Sequence, residues 1–234
     1  MILTIVQARM GSKRLPGKAL ASLLGQPMIW RQLERLRGVR SQTKVIVATS
    51  RETSDDPLAS WLVSQGQAVF RGAPTDILDR FARCVVSAGP VSHIVRIKGD
   101  APFVDARLVD VGIRLALSSG ADYVSNRDPA SYPAGQDVEV VTARALLAVA
   151  EGPRETLARV SPTAAIRADA KRFSQARFHY KQDVSRLDWR VKTAADMAFA
   201  RSVYAALHPS DPDFGMEDVL DLVSGGIDLG RYAA

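Results

Sequence analysis

The sequence contains one cysteine, so a disulfide framework is excluded. Cys84 lies in the helical pattern DRFARCVVSAG, where we expect a buried structural thiol and not a nucleophile. Histidine is nearly as scarce: His93 begins a predicted strand, His179 stands in an alternating run, and His208 precedes a proline. None of the three is placed as a catalytic residue.

Long hydrophobic runs are also absent. No apolar run approaches the roughly 18 residues of a transmembrane helix. The first residues lead directly into a strand pattern, ILTIV, and do not resemble a signal peptide. We therefore expect a cytoplasmic protein without a membrane partner.

The composition favours one domain with an appended lobe. Of the 234 residues, 47% are hydrophobic, which suffices for a sizeable core. The formal net charge of +6 is compatible with binding nucleic acid, a membrane surface or an anionic small molecule. Charge alone does not choose among these partners.

Short apolar runs alternate with amphipathic segments over the first 126 residues. This order predicts a parallel sheet with helices on both faces, and ligands bind beyond the carboxyl ends of the strands in such sheets. The segment after ILTIV and the segment KGDAPF after HIVRI are both expected at that edge. The strand patterns are ILTIV, KVIVAT, AVFR, HIVRI and DYVSN, and the helix patterns are PMIWRQLERL, DPLASWLVSQ, TDILDRFARCVV and ARLVDVGIRLAL.

The pattern changes after Asn126. The turn-rich stretch RDPASYPAGQDVEVV leads into an alternating strand, which indicates a flap or a second lobe. The chain then returns with RLDWRVKTAADMAFARSVYAAL, which predicts a strand followed by a closing helix.

The first strand is followed by a stiff cationic loop, QARMGSKRLPGKAL. Lys13 and Arg14 are separated from Lys18 by Leu-Pro-Gly, whose fixed proline φ and permissive glycine predict a defined turn. A solvated basic run does not need such a turn, whereas a shaped cationic loop suits a polyanion. The backbone amides of Gly11 and Ser12 are expected to cradle one phosphate.

The loop is not a P-loop. Gly11 and Gly17 are separated by five residues, and Ala19 stands where a magnesium-binding hydroxyl is required. The next helix is predicted to begin only at about Pro27, so Lys18 does not open a helix. Nucleic-acid binding stays open but is disfavoured, because no aromatic residues are interleaved with the cations.

Six motifs, in order from Ile2 to about Leu207, resemble one enzyme family: QARMGSKRLPGKAL, VIVATS with DDPLA, VFRGAPTDILDRF, IVRIKGDAPFVD, DYVSN and YPAGQDVEV. The chain resembles the spore-coat-polysaccharide type of cytidylyltransferase, which is related to CMP-sialic acid (acylneuraminate) and CMP-Kdo synthetases. The resemblance implies an α/β, Rossmann-like nucleotide-diphosphosugar transferase fold. It also implies an enzyme that condenses CTP with an acidic sugar or related anionic acceptor, uses Mg2+ and releases pyrophosphate.

The resemblance further implies a single domain with three parts. These are a nucleotide-binding part at about 1–126, a flap or dimerisation lobe at about 127–180, and a returning strand with helices at about 181–234. We expect a homodimer joined through the flap, with an exposed DVEVV strand and the following helix as the contact.

The family positions imply the triphosphate and metal contacts. Arg14 and Lys18 are expected to act catalytically by binding the triphosphate and stabilising charge on the leaving pyrophosphate. Asp100, directly after the strand HIVRI, is expected to be the third catalytic residue and the magnesium ligand; the alternative is an aspartate that caps the turn before Pro102. The other nucleotide-binding candidates are Ala8, Arg9, Gly11, Ser12, Lys13, Arg71 and Arg80.

Several candidates have structural alternatives. Arg9 and Lys13 are as compatible with solvent as with the site, and Arg80 is equally placed to pair with the aspartate one helical turn before it. Asp55 and Asp56 precede a proline and a helical pattern, so we expect them to cap that helix.

The later segments are expected to recognise the acceptor. Asp137 and Glu139 share a strand face by period two, and Glu139 is alternatively an outward strand residue. Arg154 is alternatively paired with a neighbouring carboxylate. The acceptor-binding candidates are Asn126, Tyr132, Gln136, Glu139, Arg154 and Lys192.

The returning segment departs from the family pattern. Relatives have an arginine where Asp188 stands, and an aspartate that contacts a second magnesium position where Lys192 stands. Asp188, Arg190 and Lys192 alternate on one predicted strand face, so the exchange preserves an ion pair while removing a metal ligand. Arg159 stands where relatives have a histidine. The alternative functions are a same-fold nucleotidyl- or glycosyltransferase that uses another nucleotide, and a catalytically silent nucleotide-binding homologue.

Overall fold

The fold is built on a mixed seven-stranded sheet. The structure is a computed structural model that describes residues 1–152 and 157–225. Within these ranges the strands are β1 (Ile2–Gln7), β2 (Ser22–Leu23), β3 (Gln26–Pro27), β4 (Thr43–Ser50), β5 (Val69–Gly72), β6 (His93–Lys98), β7 (Tyr123–Ser125), β8 (Glu139–Thr142) and β9 (Gln175–Arg177).

Eight α-helices are described, together with three short 3₁₀ turns. The helices are α1 (Met28–Arg37), α2 (Asp56–Ser64), α3 (Ile77–Ala88), α4 (Ala106–Ser119), α5 (Ala143–Ala150), α6 (Ala164–Ala168), α7 (Ala194–Leu207) and α8 (Met216–Ser224). The 3₁₀ turns are Lys18–Leu20, Thr53–Asp55 and Leu157–Val160.

The sheet has the strand order β5-β4-β1-β6-β8-β7-β9. The pairs β5 with β4, β4 with β1, β1 with β6 and β7 with β9 are parallel, whereas β8 is antiparallel to both of its neighbours. Parallel neighbours need crossover connections, which α1, α2 and α3 supply among the first strands. The predicted α/β class with a mostly parallel sheet is confirmed.

Helices cover both faces of this sheet. Leu3 and Ile5 of β1 pack in one buried cluster with residues of α3 and α5, and Val6 packs in another with residues of α1, α2 and α4. Cys84 belongs to the first cluster, where burial raises the pKa of its thiol to about 12. It is a structural thiol, as the sequence predicts.

The start of α3 lies beside the carboxyl ends of the parallel strands. The Asp76 side chain accepts a hydrogen bond from the amide of Asp79 at 2.9 Å and so caps the helix. Leu78, Phe81 and Val85 follow at helical spacing and are buried against the sheet. Because the apolar face is fixed in this way, the first turn of α3 stays next to the carboxyl ends of the strands.

An aromatic cluster outside the sheet holds the segment that follows β6. The Phe103 ring contacts Trp189, Phe199 and Tyr204 with centroid distances of 6.2, 5.9 and 5.7 Å. The Tyr204 hydroxyl also donates to the Pro102 carbonyl at 2.9 Å. Helix α7 thus fixes the chain next to Asp100.

The returning segment is not the strand that the sequence predicts. Within residues 187–192 the sheet partners are limited to one bridge, between Ala134 and Asp188. Trp189 and Val191 are buried in the aromatic cluster, whereas Asp188 and Arg190 are partly exposed. The alternation that resembles a strand therefore arises from packing on α7. The closing helix of the prediction is present as α7, and α8 was not predicted.

The strand half of the predicted dimer contact is wrong, whereas the following helix stays untested. Strand β8, which contains most of DVEVV, lies inside the sheet between β6 and β7. Residues 138–141 are buried within the chain itself, so they are not an exposed docking edge. The homodimer stays a prediction without this contact surface.

Glu139 of β8 is a buried carboxylate with a complete set of partners. Its oxygens accept hydrogen bonds from Arg96 Nη1 at 2.5 Å and from the Tyr123 and Thr163 hydroxyls at 2.7 Å each, and Arg127 lies at 3.5 Å. Burial opposes ionisation, but the two arginines hold the pKa of Glu139 at about 2. The alternative of an outward strand residue is wrong, and this buried position does not support the prediction of a direct acceptor contact.

Within residues 1–152 and 157–225, every helix is too short or too polar to cross a bilayer.

Gly99 lets β6 and β1 approach closely, because an added Cβ would lie 2.7 Å from the Gln7 carbonyl oxygen and 2.8 Å from the Ala8 Cβ. We expect Gly99→Ala to lower the free energy of unfolding by about 1–3 kcal/mol, since backbone must move. Denaturant unfolding measures this. Gly11→Ala is the control, because no atom lies within 4 Å of its added Cβ. Equal stability of the two variants would contradict the close approach.

Glu139→Gln is expected to destabilise the protein by about 3 kcal/mol near neutral pH, because two arginines lose a buried counter-charge. The folded pKa of about 2 lies below the ordinary value of 4.5, so the stabilisation is complete above about pH 4.5 and is lost as pH falls towards 2. Urea unfolding of both proteins at about pH 7 and about pH 3 tests this. A difference in stability that does not shrink at the lower pH would refute it.

Candidate active site

A cavity of about 440 Å³ opens at the carboxyl ends of β1 and β6, at the edge where the sequence places the ligand. Ala8 and Ser12 line it together with the first turn of α3. A larger cavity of about 1100 Å³, between residues 180–187 and α8, holds none of the predicted site residues. The charged side chains that line the first cavity are Arg9, Lys13, Arg14, Lys18, Arg80, Arg96, Lys98 and Asp100, seven basic and one acidic.

The loop after β1 is a defined turn, as predicted. The Met10 carbonyl accepts hydrogen bonds from the amides of Ser12 and Gly17 at 2.8 and 3.0 Å, and Gly17 has a φ of 76°, which glycine adopts readily. The Ser12 amide is therefore already bonded, which does not support its predicted role in a phosphate cradle, although Ser12 lines the cavity. Gly11 is exposed outside the cavity lining. A single 3₁₀ turn does begin at Lys18, which the sequence did not indicate.

Asp55 anchors this loop to the end of β4. Its carboxylate accepts hydrogen bonds from the Met10 amide at 2.7 Å and from the Ser50 amide and hydroxyl at 3.1 and 2.5 Å. Burial raises the pKa of Asp55, but these hydrogen bonds outweigh burial and hold it below its usual value. Asp55 makes no side-chain cap of α2, so the predicted capping role is wrong.

Arg71 lies outside the cavity lining. Its guanidinium donates to the carbonyls of Ser50 and Glu52 at 2.9 Å each and forms an ion pair with Asp56 at 2.6 Å. Asp56 therefore pairs with Arg71 and does not cap a helix. The prediction that Arg71 contacts the nucleotide is not supported by this position.

Lys18 bridges the loop and two other segments. Its Nζ donates to the Val191 carbonyl at 2.5 Å and lies 3.7 Å from an oxygen of Asp100. Burial lowers the pKa of Lys18; Asp100 opposes this, and Arg14 and Arg9 add to it. The ammonium is thus held close to two other cations, Arg14 and Arg9.

Arg9, Lys13 and Arg14 are exposed at the rim of the same cavity. Of the two alternatives for Arg9 and Lys13, the structure places both at the site. Their long side chains can reach an anion in the cavity, and their charged ends stay hydrated when no anion is bound.

Asp100 has an oxygen that the fold leaves without a partner. Its carbonyl accepts from the Val191 amide at 2.8 Å, but Oδ1 is buried and has no hydrogen-bond partner among the described residues. The turn-capping alternative is therefore not borne out. A lone carboxylate of this kind fits a magnesium ligand whose other positions are phosphate oxygens and water. In the described ranges, no three His, Cys, Asp or Glu side chains form a cluster that could hold a metal.

Arg80 lines the cavity and does not pair with Asp76. Its Nε and Nη2 donate to the Ala73 and Pro74 carbonyls at 2.6–2.9 Å, which fixes the guanidinium at the cavity wall. Asp76 instead binds Arg159 at 2.6 Å. Arg159 therefore joins the segment after α5 to the start of α3.

Arg96 and Lys98 are site residues that the sequence reasoning missed. They alternate with Asp100 along β6 and its continuation, so the three share one face. Lys98 Nζ also donates to Asp137 at 2.9 Å. A charged residue inside the apolar run HIVRI was the available signal.

Asn126 and Gln136 bond to backbone and lie outside the cavity lining. The Asn126 amide donates to the Gln136 carbonyl at 2.8 Å and accepts from the Val138 amide at 2.9 Å. The Gln136 side chain donates to the Phe103 carbonyl at 2.6 Å and accepts from the Asp105 amide at 3.1 Å. Both are buried, so these positions do not support the prediction of direct acceptor contact.

Tyr132 is likewise buried and packs on the Phe178 and Tyr180 rings, with centroid distances of 5.9 and 5.5 Å. It supports the lobe after Asn126 and does not line the cavity. Arg154 lies outside the described residues.

Lys192 bonds to Asp188 and does not line the cavity. Its Nζ donates to Asp188 at 2.6 Å, and Arg190 donates to both oxygens of the same carboxylate at 2.9 and 2.6 Å. These hydrogen bonds and charges depress the pKa of Asp188 against the effect of burial. The predicted ion pair is confirmed, whereas acceptor contact by Lys192 is not supported.

Curated proteins from bacteria and an archaeon show sequence similarity to this chain. Spore coat polysaccharide biosynthesis protein SpsF of Bacillus subtilis (strain 168) is 39% identical over 150 residues, which are 62% of this chain and 61% of that protein. A 3-deoxy-manno-octulosonate cytidylyltransferase of Anaeromyxobacter sp. (strain Fw109-5) is 31% identical over 150 residues, or 61% and 59% of the two chains. The similarity thus spans less than two thirds of each relative.

Solved structures share the fold over nearly the whole chain. A cytidylyltransferase from Leptospira borgpetersenii serovar Hardjo-bovis (strain JB197) superposes with a TM-score of 0.91, covering 97% of this chain and 95% of that one at 24% identity. A CMP-2-keto-3-deoxy-manno-octonic acid synthetase complexed with CTP gives a TM-score of 0.68, covering 87% and 98% at 17% identity.

The family model described as cytidylyltransferase matches residues 3–198, which include most of β1, the cationic loop, Asp100 and the segment 187–192. The chain therefore belongs to the cytidylyltransferase family.

Proposed function

We propose that the protein transfers a cytidylyl group from CTP to an acidic sugar or a related anionic acceptor and releases pyrophosphate. One observation carries this proposal. This chain belongs to the cytidylyltransferase family, and its cavity lies at the carboxyl ends of the central strands. Seven cationic side chains line that cavity together with one carboxylate, Asp100, whose Oδ1 has no hydrogen-bond partner among the described residues. A triphosphate and an anionic acceptor together supply the negative charge that such a cavity lacks.

The chemistry is an in-line displacement at the α-phosphorus. The acceptor hydroxyl loses its proton to solvent, its oxygen bonds to the α-phosphorus, and the bond to the bridging oxygen breaks as pyrophosphate leaves with the electron pair. Lys18 and Arg14 oppose the negative charge that develops on that oxygen. Because Lys18 is held by the Val191 carbonyl, its charge needs little reorganisation during the reaction.

We further propose that Asp100 holds a magnesium ion together with triphosphate oxygens. Magnesium, when bound, supplies additional charge neutralisation for the phosphates. The residues of this chain contribute the unpartnered Oδ1 of Asp100, while Lys18 at 3.7 Å fixes the other oxygen.

A second candidate function, a catalytically silent nucleotide-binding homologue, is favoured by the Lys192 arrangement. The lysine and Asp188 bond to each other at 2.6 Å and lie outside the cavity lining, so among residues 1–152 and 157–225 Asp100 is the one carboxylate that lines the cavity. A cationic cavity of this kind retains triphosphate binding even where catalysis is impaired.

Pyrophosphate release tests both functions. The purified protein is incubated with magnesium, each nucleoside triphosphate, and a panel of sugar acids, phosphonates and polyol phosphates. The proposal predicts release with CTP and at least one anionic acceptor, and release with another nucleotide alone would contradict the CTP assignment. If native protein binds CTP without turnover and Lys192→Asp gains turnover, the silent homologue is the correct function.

Lys18→Ala is expected to lower kcat by on the order of a hundredfold, because one positioned charge donor is lost from the leaving-group oxygen. The unfolding free energy should fall by no more than about 3 kcal/mol, the scale of one hydrogen bond made by a charged group. Lys44→Ala is the matched control, since Lys44 is exposed at the start of β4, and the cavity lies at the carboxyl ends of the strands. A turnover number that Lys18→Ala leaves near normal would exclude a role in charge stabilisation.

A further inference from the structure

Arg96 occupies an unusual position for an arginine. It lies within the apolar strand β6, is 6% exposed, and lines the cavity. Its Nη1 donates to Glu139 at 2.5 Å and to the Thr163 hydroxyl at 3.2 Å. Its Nε is buried and has no hydrogen-bond partner within residues 1–152 and 157–225.

A buried N–H without an acceptor is rare, because it has lost water and gained nothing in exchange. Arg96 does not lack a counter-charge, since Glu139 supplies one. It lacks an oxygen on the Nε side of the guanidinium. An oxygen ligand that enters the cavity satisfies this donor, and a carboxylate suits the planar guanidinium best.

Glu139 fixes the orientation of Arg96. The Tyr123 and Thr163 hydroxyls donate to Oε1 of Glu139 at 2.7 Å each, and Arg127 lies 3.5 Å from Oε2. The carboxylate is 2% exposed and cannot rotate without breaking these contacts. The guanidinium is therefore held in one orientation before any ligand arrives, which lowers the entropic cost of binding.

The position along β6 separates Arg96 from the triphosphate cations. Strand residues rise about 3.3 Å each, so the Arg96 Cα lies about 7 Å from that of Lys98 and farther still from Asp100. Lys18 and Asp100 lie together at the other end of this row, 3.7 Å apart. The cavity thus offers a second anion position beyond the one around Lys18.

We propose that Arg96 binds the carboxylate of the acidic sugar acceptor and that Glu139 is its positioning residue. This inference rests on the proposed function, because it assigns one substrate of that reaction to one end of the cavity. Lys98, already bonded to Asp137, borders the same position. The substrate class is a sugar acid whose carboxylate is ionised at neutral pH.

Calorimetric titration tests the inference without turnover. The protein is saturated with magnesium and a CTP analogue that has a methylene bridge between the α- and β-phosphorus atoms. The probes are 3-deoxy-manno-octulosonate, N-acetylneuraminate and the methyl ester of each. We expect native protein to bind at least one acid about tenfold or more tightly than its ester, since the ester lacks the charge that Arg96 recognises.

Arg96→Met is expected to weaken binding of that acid about 10- to 100-fold and to leave ester binding unchanged. The Kd of the CTP analogue should change by less than about threefold, because the triphosphate lies at Lys18. Arg35→Met is the matched control, since Arg35 donates to the Val104 and Phe214 carbonyls away from this cavity. It should preserve the preference for the acid.

Arg96→Met removes one of the two arginines that neutralise Glu139. The double variant Arg96→Met with Glu139→Gln, which removes the carboxylate charge as well, is therefore measured beside it. Circular dichroism establishes that both are folded. Glu139→Gln alone keeps the guanidinium but loosens its orientation, and we expect a partial loss of the acid-to-ester preference. A change in stability without a change in that preference would make Glu139 purely structural.

Equal binding of the acid to native protein and folded Arg96 variants overturns the inference, as does the absence of any acid preference in native protein. An equal loss of affinity for the CTP analogue also overturns it, because Arg96 would then belong to the triphosphate position. If acids bind through Arg96 but neither CTP binding nor pyrophosphate release is found, the proposed function fails while the anion position stands.

Discussion

The peptide unit of Val191 joins the segments that form the candidate site. Its amide donates to the Asp100 carbonyl at 2.8 Å, and its carbonyl accepts from the Lys18 ammonium at 2.5 Å. Val191 itself is buried in the aromatic cluster with α7 and α8. The positions of a cation from the first loop and a carboxylate after β6 therefore depend on packing near the end of the chain. Loss of that packing displaces both charges together, so site geometry and C-terminal stability are coupled.

The general location of the site could be predicted from the sequence. Alternating apolar and amphipathic segments specify parallel strands, and parallel strands bring the segment after β1 and the segment after β6 to one edge. Arg14, Lys18 and Asp100 meet in the cavity for this reason. The residues are far apart in sequence, but the topology alone places them together.

The role of individual polar residues could not be predicted in the same way. Asp55 has a sequence context that is typical of a helix cap, but its partner Met10 is 45 residues away. Asn126 follows strand β7 and Gln136 lies in the turn before β8, positions where ligand-binding residues often occur, yet their amides bond to buried backbone groups. Sequence patterns report local periodicity, whereas these hydrogen bonds depend on which segments pack together.

The antiparallel strand β8 also determines when β6 and β7 can be joined into one sheet during synthesis. It pairs with β6 on one side and β7 on the other, although both precede it in the chain. A nascent chain that ends before residue 139 therefore carries β6 with one row of backbone amides and carbonyls unpaired. That row borders the side chains of Ile94 and Val95, which are fully buried in the finished fold. Such an apolar edge can recruit a strand from another unfinished chain, so the nascent chain is open to aggregation in the interval before β8 emerges.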